Sequence, residues 1–367
     1  MQIKRFLMGT MLVGGLVLSG CGGAPTGTPV PPTTAAENAP PATDTPPAPT
    51  NTAGPPAALT KVTLALDWTP NTNHTGFYAA MQKGWYRDKG IDLQVLPYAP
   101  EGASPDTLVA GGKADFGISF VESVVGDKVT GLAVKSVAAI AQHDTSELAS
   151  LKSAGLDRPA KLEGKRYGGF GSPYEDLVIA DIIKHDGGKT GEIQDITTSV
   201  GGLQALEAKQ VDFVWIYKGW EAIQAKHGGV ALNEFLVTDY GRADYYSPVV
   251  IASEQFLRDK ADLGKRFMAA TSKGFEFAIQ RPDEAADLLI SANTPDTFPD
   301  KPLVHESARY LATIYQDKAP RWGEQTLKVW SDYPSFMVHS GKLEDQNHKP
   351  VTTDLDYGSL FTNELLP

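Results

Sequence analysis

Apolar and polar positions follow two periods along this chain, and the switches between them mark out its elements. Residues 61–66, Lys-Val-Thr-Leu-Ala-Leu, have the two-residue period of a strand. Residues 74–83 change to the helical period, with Gly84 as a stop. Residues 91–96 alternate again. Ser104-Pro105 then supplies a capping residue followed by proline at a first helical position. Residues 115–119 and 137–141 read as strands, the second of buried type. A second block opens at 165–168 and continues with strands near 193–198 and 213–217. Residues 249–252 form the last strand, rejoining the first block. Beyond about residue 255 helices dominate, over 267–281, 283–293 and 305–314. Strands alternating with helices predict an α/β fold with parallel sheets. Ligands of such sheets sit beyond the carboxyl ends of the strands.

Two stretches at the N-terminus obey neither period. In residues 1–20, Lys4 and Arg5 precede a short apolar run that ends in small residues before Cys21. This is the layout of a secretory signal peptide. The run is shorter than the roughly 20 residues a membrane-spanning helix needs. Leu18-Ser19-Gly20-Cys21 resembles the bacterial lipobox, which makes Cys21 a lipidation site for palmitate-type acyl chains. The rest of the chain is then expected on the extracytoplasmic face of the cell membrane, held there through the lipid alone. Cys21 is the only cysteine, so disulfides, thiolate metal sites and a cysteine nucleophile are not expected. Residues 21–60 are rich in Pro, Thr and Ala. Their composition predicts a disordered linker that reaches on the order of 100 Å if extended as polyproline II. The remaining about 300 residues suffice for one large or two medium domains. The net charge of −11 comes from interspersed acids and bases, which argues against nucleic acid as a partner.

The motif Leu66-Asp67-Trp68-Thr69-Pro70-Asn71-Thr72-Asn73-His74-Thr75-Gly76-Phe77-Tyr78 is followed by Lys83-Gly84-Trp85-Tyr86, Gly111-Gly112-Lys113-Ala114-Asp115-Phe116-Gly117-Ile118 and Leu162-Glu163-Gly164-Lys165-Arg166-Tyr167-Gly168. In sequence and order these motifs resemble the thiamine-pyrimidine-synthase-like family of periplasmic solute-binding proteins, over roughly residues 61–280. The resemblance implies a two-lobed α/β flytrap with a hinge between lobes, of the type II periplasmic-binding-protein kind. Lobe 1 is expected over 61–146 and 248–367, and lobe 2 over 147–247. It also implies a monomer that hands a small molecule to the permease and ATPase of an ABC importer. Ligand-driven closure of such a hinge is a population shift.

Candidate ligand residues follow from chemistry and from this resemblance. Trp68 ends the first strand, where the family has a tryptophan that stacks on a flat heterocycle; an indole offers a large rigid face. Asn71 and Asn73 either cap the next helix or meet the ligand. His74 matches a family histidine that faces the pocket, and Tyr78 lies four residues on along the same helical face. Glu122 follows the third strand, either as a ring-binding carboxylate or as a first-turn helix acid. Around Gly169 and Gly171 backbone can approach a ligand closely, which brings in Phe170, Ser172, Tyr174 and Glu175. Ser172 and Glu175 also have the spacing of a capping box. Phe213, Trp215 and Tyr217 share one strand face, and Tyr217, Trp220 and Glu221 at its end are the ligand candidates. Tyr246 precedes the returning strand, and Tyr245 beside it counts among the possible stacking aromatics.

Neither a Gly-x-Ser-x-Gly elbow nor a His-Glu-x-x-His pair occurs. The cysteine-rich cluster of the family's fungal synthases is replaced by Arg242-Ala243-Asp244-Tyr245-Tyr246. The chain is therefore expected to bind rather than catalyse, without cofactor or metal. The family's binders take flat nitrogen heterocycles. The number of aromatics favours riboflavin over a thiamine pyrimidine precursor (hydroxymethylpyrimidine or formylaminopyrimidine). A pyrimidine synthase or a ligand-sensing lipoprotein are the remaining readings.

Overall fold

The computed structural model describes residues 58–99, 102–169, 171, 174–196 and 202–367. Cys21, Phe170 and Ser172 lie outside the described residues. Among the described residues, ten strands form two five-stranded sheets. The first contains β1 (Thr60–Ala65), β2 (Ile91–Leu96), β3 (Phe116–Ser119), β4 (Val134–Ala139) and β10 (Val249–Ser253), in the order β2-β1-β3-β10-β4. The second contains β5 (Ser146–Leu151), β6 (Arg166–Gly168), β7 (Gln194–Asp195), β8 (Phe213–Tyr217) and β9 (Leu232–Leu236), in the order β7-β6-β8-β5-β9.

The sheets are mixed rather than parallel, which corrects the expectation from the alternating pattern. In each, four strands run in the same direction and are connected through helices: β1, β2, β3 and β4 in the first, and β6, β7, β8 and β9 in the second. Each sheet also holds one strand delivered by a crossover from the other sheet. β10 runs antiparallel between β3 and β4, and β5 antiparallel between β8 and β9. The chain thus passes between sheets twice, after β4 and after β9. This topology decides which residues meet. The carboxyl ends of β1, β3 and β8 lie at the same edge as the starting ends of β5 and β10, since Ser146 pairs with Tyr217 and Val249 with Ser119.

Among the described residues, twelve α-helices accompany the sheets: α1 (Thr75–Gln82), α2 (Trp85–Asp88), α3 (Pro105–Ala110), α4 (Val121–Thr130), α5 (Glu175–His185), α6 (Gly202–Glu207), α7 (Ile223–His227), α8 (Glu254–Asp259), α9 (Ala261–Gln280), α10 (Pro282–Ser291), α11 (Lys301–Ala312) and α12 (Leu327–His339). Ser104 caps α3, its hydroxyl accepting from the Thr107 N–H at 3.2 Å. The core of the first lobe is aromatic: Phe116 stacks on Phe267 at 4.0 Å, and Phe275 on Trp322 at 4.2 Å. α1 crosses α9 where glycines meet, and a Cβ on Gly274 would strike the Gly76 carbonyl. α12 carries Pro334 within it and remains one helix. Its buried Trp330, Tyr333 and Met337 pack with Val124 and Val125 of α4. Among the described residues no helix is long and apolar enough to cross a membrane.

Candidate functional site

Carboxyl and phenol groups converge where the strand ends of both sheets meet. Asp67 and Trp68 follow β1. Glu122 is in the first turn of α4, just beyond β3. Asp144 precedes β5, Tyr217 ends β8, and Glu221 lies in the single π-helical turn Lys218–Ala222 that follows. The charges of Asp144, Glu122, Glu221 and Asp67 all act on the Tyr217 hydroxyl, whose pKa is held well above the ordinary phenol value, first by burial. That one phenol therefore marks a cleft shared by the two sheets.

Each acid is fixed by its surroundings. Asp67 accepts from His74 Nε2 at 2.9 Å, while His74 Nδ1 accepts the Asn71 N–H at 3.2 Å. Both ring nitrogens of this fully buried histidine are thereby engaged with protein. His74 consequently orients Asp67 and has no nitrogen left to offer a ligand. Asn71 caps the turn Thr72–His74, its side chain accepting from the Asn73 N–H at 2.9 Å and donating to the Thr69 carbonyl at 3.1 Å. Glu122 accepts from the Tyr333 hydroxyl at 2.9 Å. It keeps partial exposure to the cleft, yet burial pushes its carboxyl up, against hydrogen bonds from its own backbone, Tyr245 and Tyr333 that favour the charged form. Asp144 is buried and pushed up to about 7, by burial first and by the Glu122 charge second. Its Oδ1 accepts from the Ser146 hydroxyl at 2.8 Å. Its buried Oδ2 has no hydrogen-bond partner among the described residues. A buried acceptor left unmatched is costly, so this oxygen can take a donor from a ligand; Asp127 Oδ2, Glu147 Oε2, Gln325 Nε2 and Arg242 Nε and Nη1 are likewise buried without a partner among the described residues. Glu221 accepts the Tyr217 N–H at 3.0 Å, and burial raises its pKa too.

The aromatic wall is built from the second crossover and from α12. Tyr245 stacks on Tyr333 with ring centres 3.9 Å apart and planes at 4°. Behind the wall, the Arg242 guanidinium lies over Phe336 and pairs with Asp181 at 2.6 Å. Trp68, 39% exposed, meets Tyr98 with ring centres 4.7 Å apart. Tyr174 reaches from the start of α5 to Gly126 of α4, and the Asp127 and Glu122 charges both act on its hydroxyl.

Several candidates fall elsewhere. Tyr78 is buried in an apolar cluster with Ala286, Leu289 and Phe298, and Trp220 packs on that cluster, edge-on to Phe298 at 6.3 Å. The Glu175 carboxylate accepts from the Tyr167 hydroxyl at 2.9 Å beneath the glycine turn. The Tyr246 hydroxyl accepts the Thr326 N–H at 3.0 Å. Asn73 is half-buried beside the Asn71 cap. Sequence reasoning gave no role to Asp67, Asp144 and Tyr333. Asp67 stands inside the quoted motif next to Trp68. Asp144 and Tyr333 carry no local signal, because a crossover and a helix near the C-terminus deliver them.

Two α/β lobes joined by paired crossovers, with a polar site at their facing strand ends, define the periplasmic-binding-protein architecture. The aliphatic sulphonate binding protein SsuA of Escherichia coli shares it, with a TM-score of 0.59 at 14% identity over 82% of this chain and 91% of that one. Residues 71–285 match the model of the NMT1/THI5 like family, and the chain belongs to that family. The formylaminopyrimidine-binding protein of Halalkalibacterium halodurans is 26% identical over 306 residues, covering 83% of this chain and 91% of that protein. The riboflavin-binding protein RibY of Chloroflexus aurantiacus is 25% identical over 386 aligned residues, covering 100% of this chain and 99% of that protein.

Proposed function

We propose that this chain is the substrate-binding lipoprotein of an ABC importer for a flat, uncharged heterocyclic vitamin, with riboflavin as the ligand. The observation that carries the reading is the acid pair Glu122 and Asp144, half-buried and buried, beside the Tyr245–Tyr333 stack. With both carboxyls raised, one can stay protonated and donate to a ring carbonyl while the other accepts a ring N–H. An isoalloxazine presents both partners on one edge and a large face for stacking. The carboxyls of Asp144, Glu122, Glu221 and Asp67 converge on Tyr217, and an acidic cleft of this kind disfavours a phosphate or sulfonate. The full-length similarity to a riboflavin-binding protein supports this reading.

A thiamine pyrimidine precursor is the second reading. An aminopyrimidine also pairs with a carboxyl couple, and a formylaminopyrimidine-binding relative matches most of the chain. The synthase reading lacks the cysteine cluster of the family's fungal enzymes, since Cys21 is the chain's only cysteine. Quenching of riboflavin fluorescence by the purified protein, run beside calorimetry with formylaminopyrimidine, tests the choice. Saturable quenching at micromolar protein is expected, with affinity lost in Asp144→Ala and reduced roughly fivefold or more in Trp68→Ala. Tight binding of the pyrimidine with no quenching would transfer the assignment to the pyrimidine.

A further inference from the structure

The two crossovers are pinned to each other by a charged clasp next to the site. His143, in the first crossover, places Nδ1 2.5 Å from Asp244 Oδ2 in the second crossover, and Nε2 3.1 Å from Asp317 Oδ2 beyond α11. Carboxylates accept only, so a ring held between two of them donates from both nitrogens and is an imidazolium. Its pKa is raised accordingly, first by the Asp244 hydrogen bond. Asp317 adopts a left-handed backbone, φ 43°, in presenting its side chain. Lys318, Lys328 and Asp332 line the same outer groove.

The other oxygen of Asp244 faces inward along the backbone. Oδ1 accepts the Asp144 N–H at 3.0 Å and the Tyr245 N–H at 2.9 Å. These residues supply the unmatched carboxyl oxygen and one ring of the stacked wall. They come from different crossovers, so one carboxylate sets the spacing between a polar and an aromatic element of the cleft.

We infer that Asp244, held by His143 and Asp317, is a positioning residue that fixes Asp144 and Tyr245 in the geometry the ligand meets. The inference rests on the reading of the Glu122–Asp144 cleft as the ligand site. Asp244 touches no ligand in this scheme and acts through the two backbone N–H groups. Because Asp244 and His143 are both near 40% exposed, a surface ion pair alone would matter little. What distinguishes this one is the pair of amides on the inner oxygen.

The test compares wild type, Asp244→Asn and Asp244→Ala in the full chain by amide hydrogen exchange, with riboflavin binding read alongside. Asp244→Ala removes the acceptor and is expected to speed exchange at Asp144 and Tyr245 by about tenfold or more. Amides of β1 and β8 are expected to stay at wild-type rates, and riboflavin affinity to fall by a similar factor. Asp244→Asn retains an acceptor oxygen and is expected to fall between the two. Unchanged exchange at both amides in Asp244→Ala would overturn the inference. So would faster exchange accompanied by wild-type affinity. If riboflavin fails to bind even wild type, that failure belongs to the ligand reading, and the exchange rates still decide whether Asp244 positions the two residues.

Discussion

Asp144 concentrates the chemistry of the site in one side chain. Its carboxyl is buried, has one oxygen bonded to Ser146 and the other unmatched, and is raised to about 7. In the unfolded chain the same group ionises near pH 4. Between these values the unfolded state gives up its proton first, so rising pH favours unfolding. The folded protein therefore loses stability from about pH 4 to about pH 7, by on the order of 4 kcal/mol from this group, and no further above it. Asp144→Asn removes that dependence. Thermal unfolding is expected to show the variant more stable than wild type at pH 8 and similar near pH 4. A variant less stable at pH 8 would mean that ionised Asp144 is stabilised in the fold. His74 shows the converse case, a residue whose type suggests ligand chemistry. Its neighbours Asn71 and Asp67 occupy both nitrogens, which makes it a support.

At the scale of elements, the outcome depends on which signals are local. β2 and β8 begin and end where the sequence predicts: Ile91 and Leu93 of β2 face one core, while β8 is buried on both faces, Phe213 and Trp215 in one cluster and Val214 and Ile216 in another. β5 escapes that reading, since Ser146, Glu147 and Ser150 are all buried in it and the polar–apolar contrast disappears. α12 escapes it through Pro334, which tertiary packing on α4 overrides. The aromatic wall was half legible: Tyr245 stood in the sequence as a candidate, while its stacking partner Tyr333 lies 88 positions later, as 333 − 245 gives. The α1–α9 crossing gives a sharp test of packing. Gly274→Ala would place a methyl against the Gly76 carbonyl, and backbone yields little. A destabilisation of about 1–3 kcal/mol is expected in denaturant unfolding; no loss would show that the two helices can separate freely.

For the whole molecule, the arrangement described is one in which the lobes touch. Tyr174 of the second lobe rests against Gly126 of the first. Ser307 of α11 donates to the Gly219 carbonyl, and Lys226 and His227 of α7 pair with Glu306 at 2.7 and 2.9 Å. Gly126 is the position where a side chain would hold the lobes apart. Gly126→Leu is expected to weaken ligand binding at least tenfold and to enlarge the radius of gyration seen by small-angle scattering in the presence of ligand. Wild-type compactness and affinity in that variant would detach closure from the Tyr174 contact. The proposed function assigns Cys21 and residues 21–60 the part of a tether, which would keep a binding protein within reach of its permease.

The central claim is that an acidic cleft with an aromatic wall takes a flat, uncharged heterocycle and refuses its anionic relatives. The direct measurement is a paired titration of the full chain with riboflavin and with its 5′-phosphate at one pH and ionic strength. Saturable binding of riboflavin is expected, with the phosphate weaker by about a hundredfold or more, because like charges brought together cost several kcal/mol. Equal affinity for the two, or preference for the phosphate, would contradict the account.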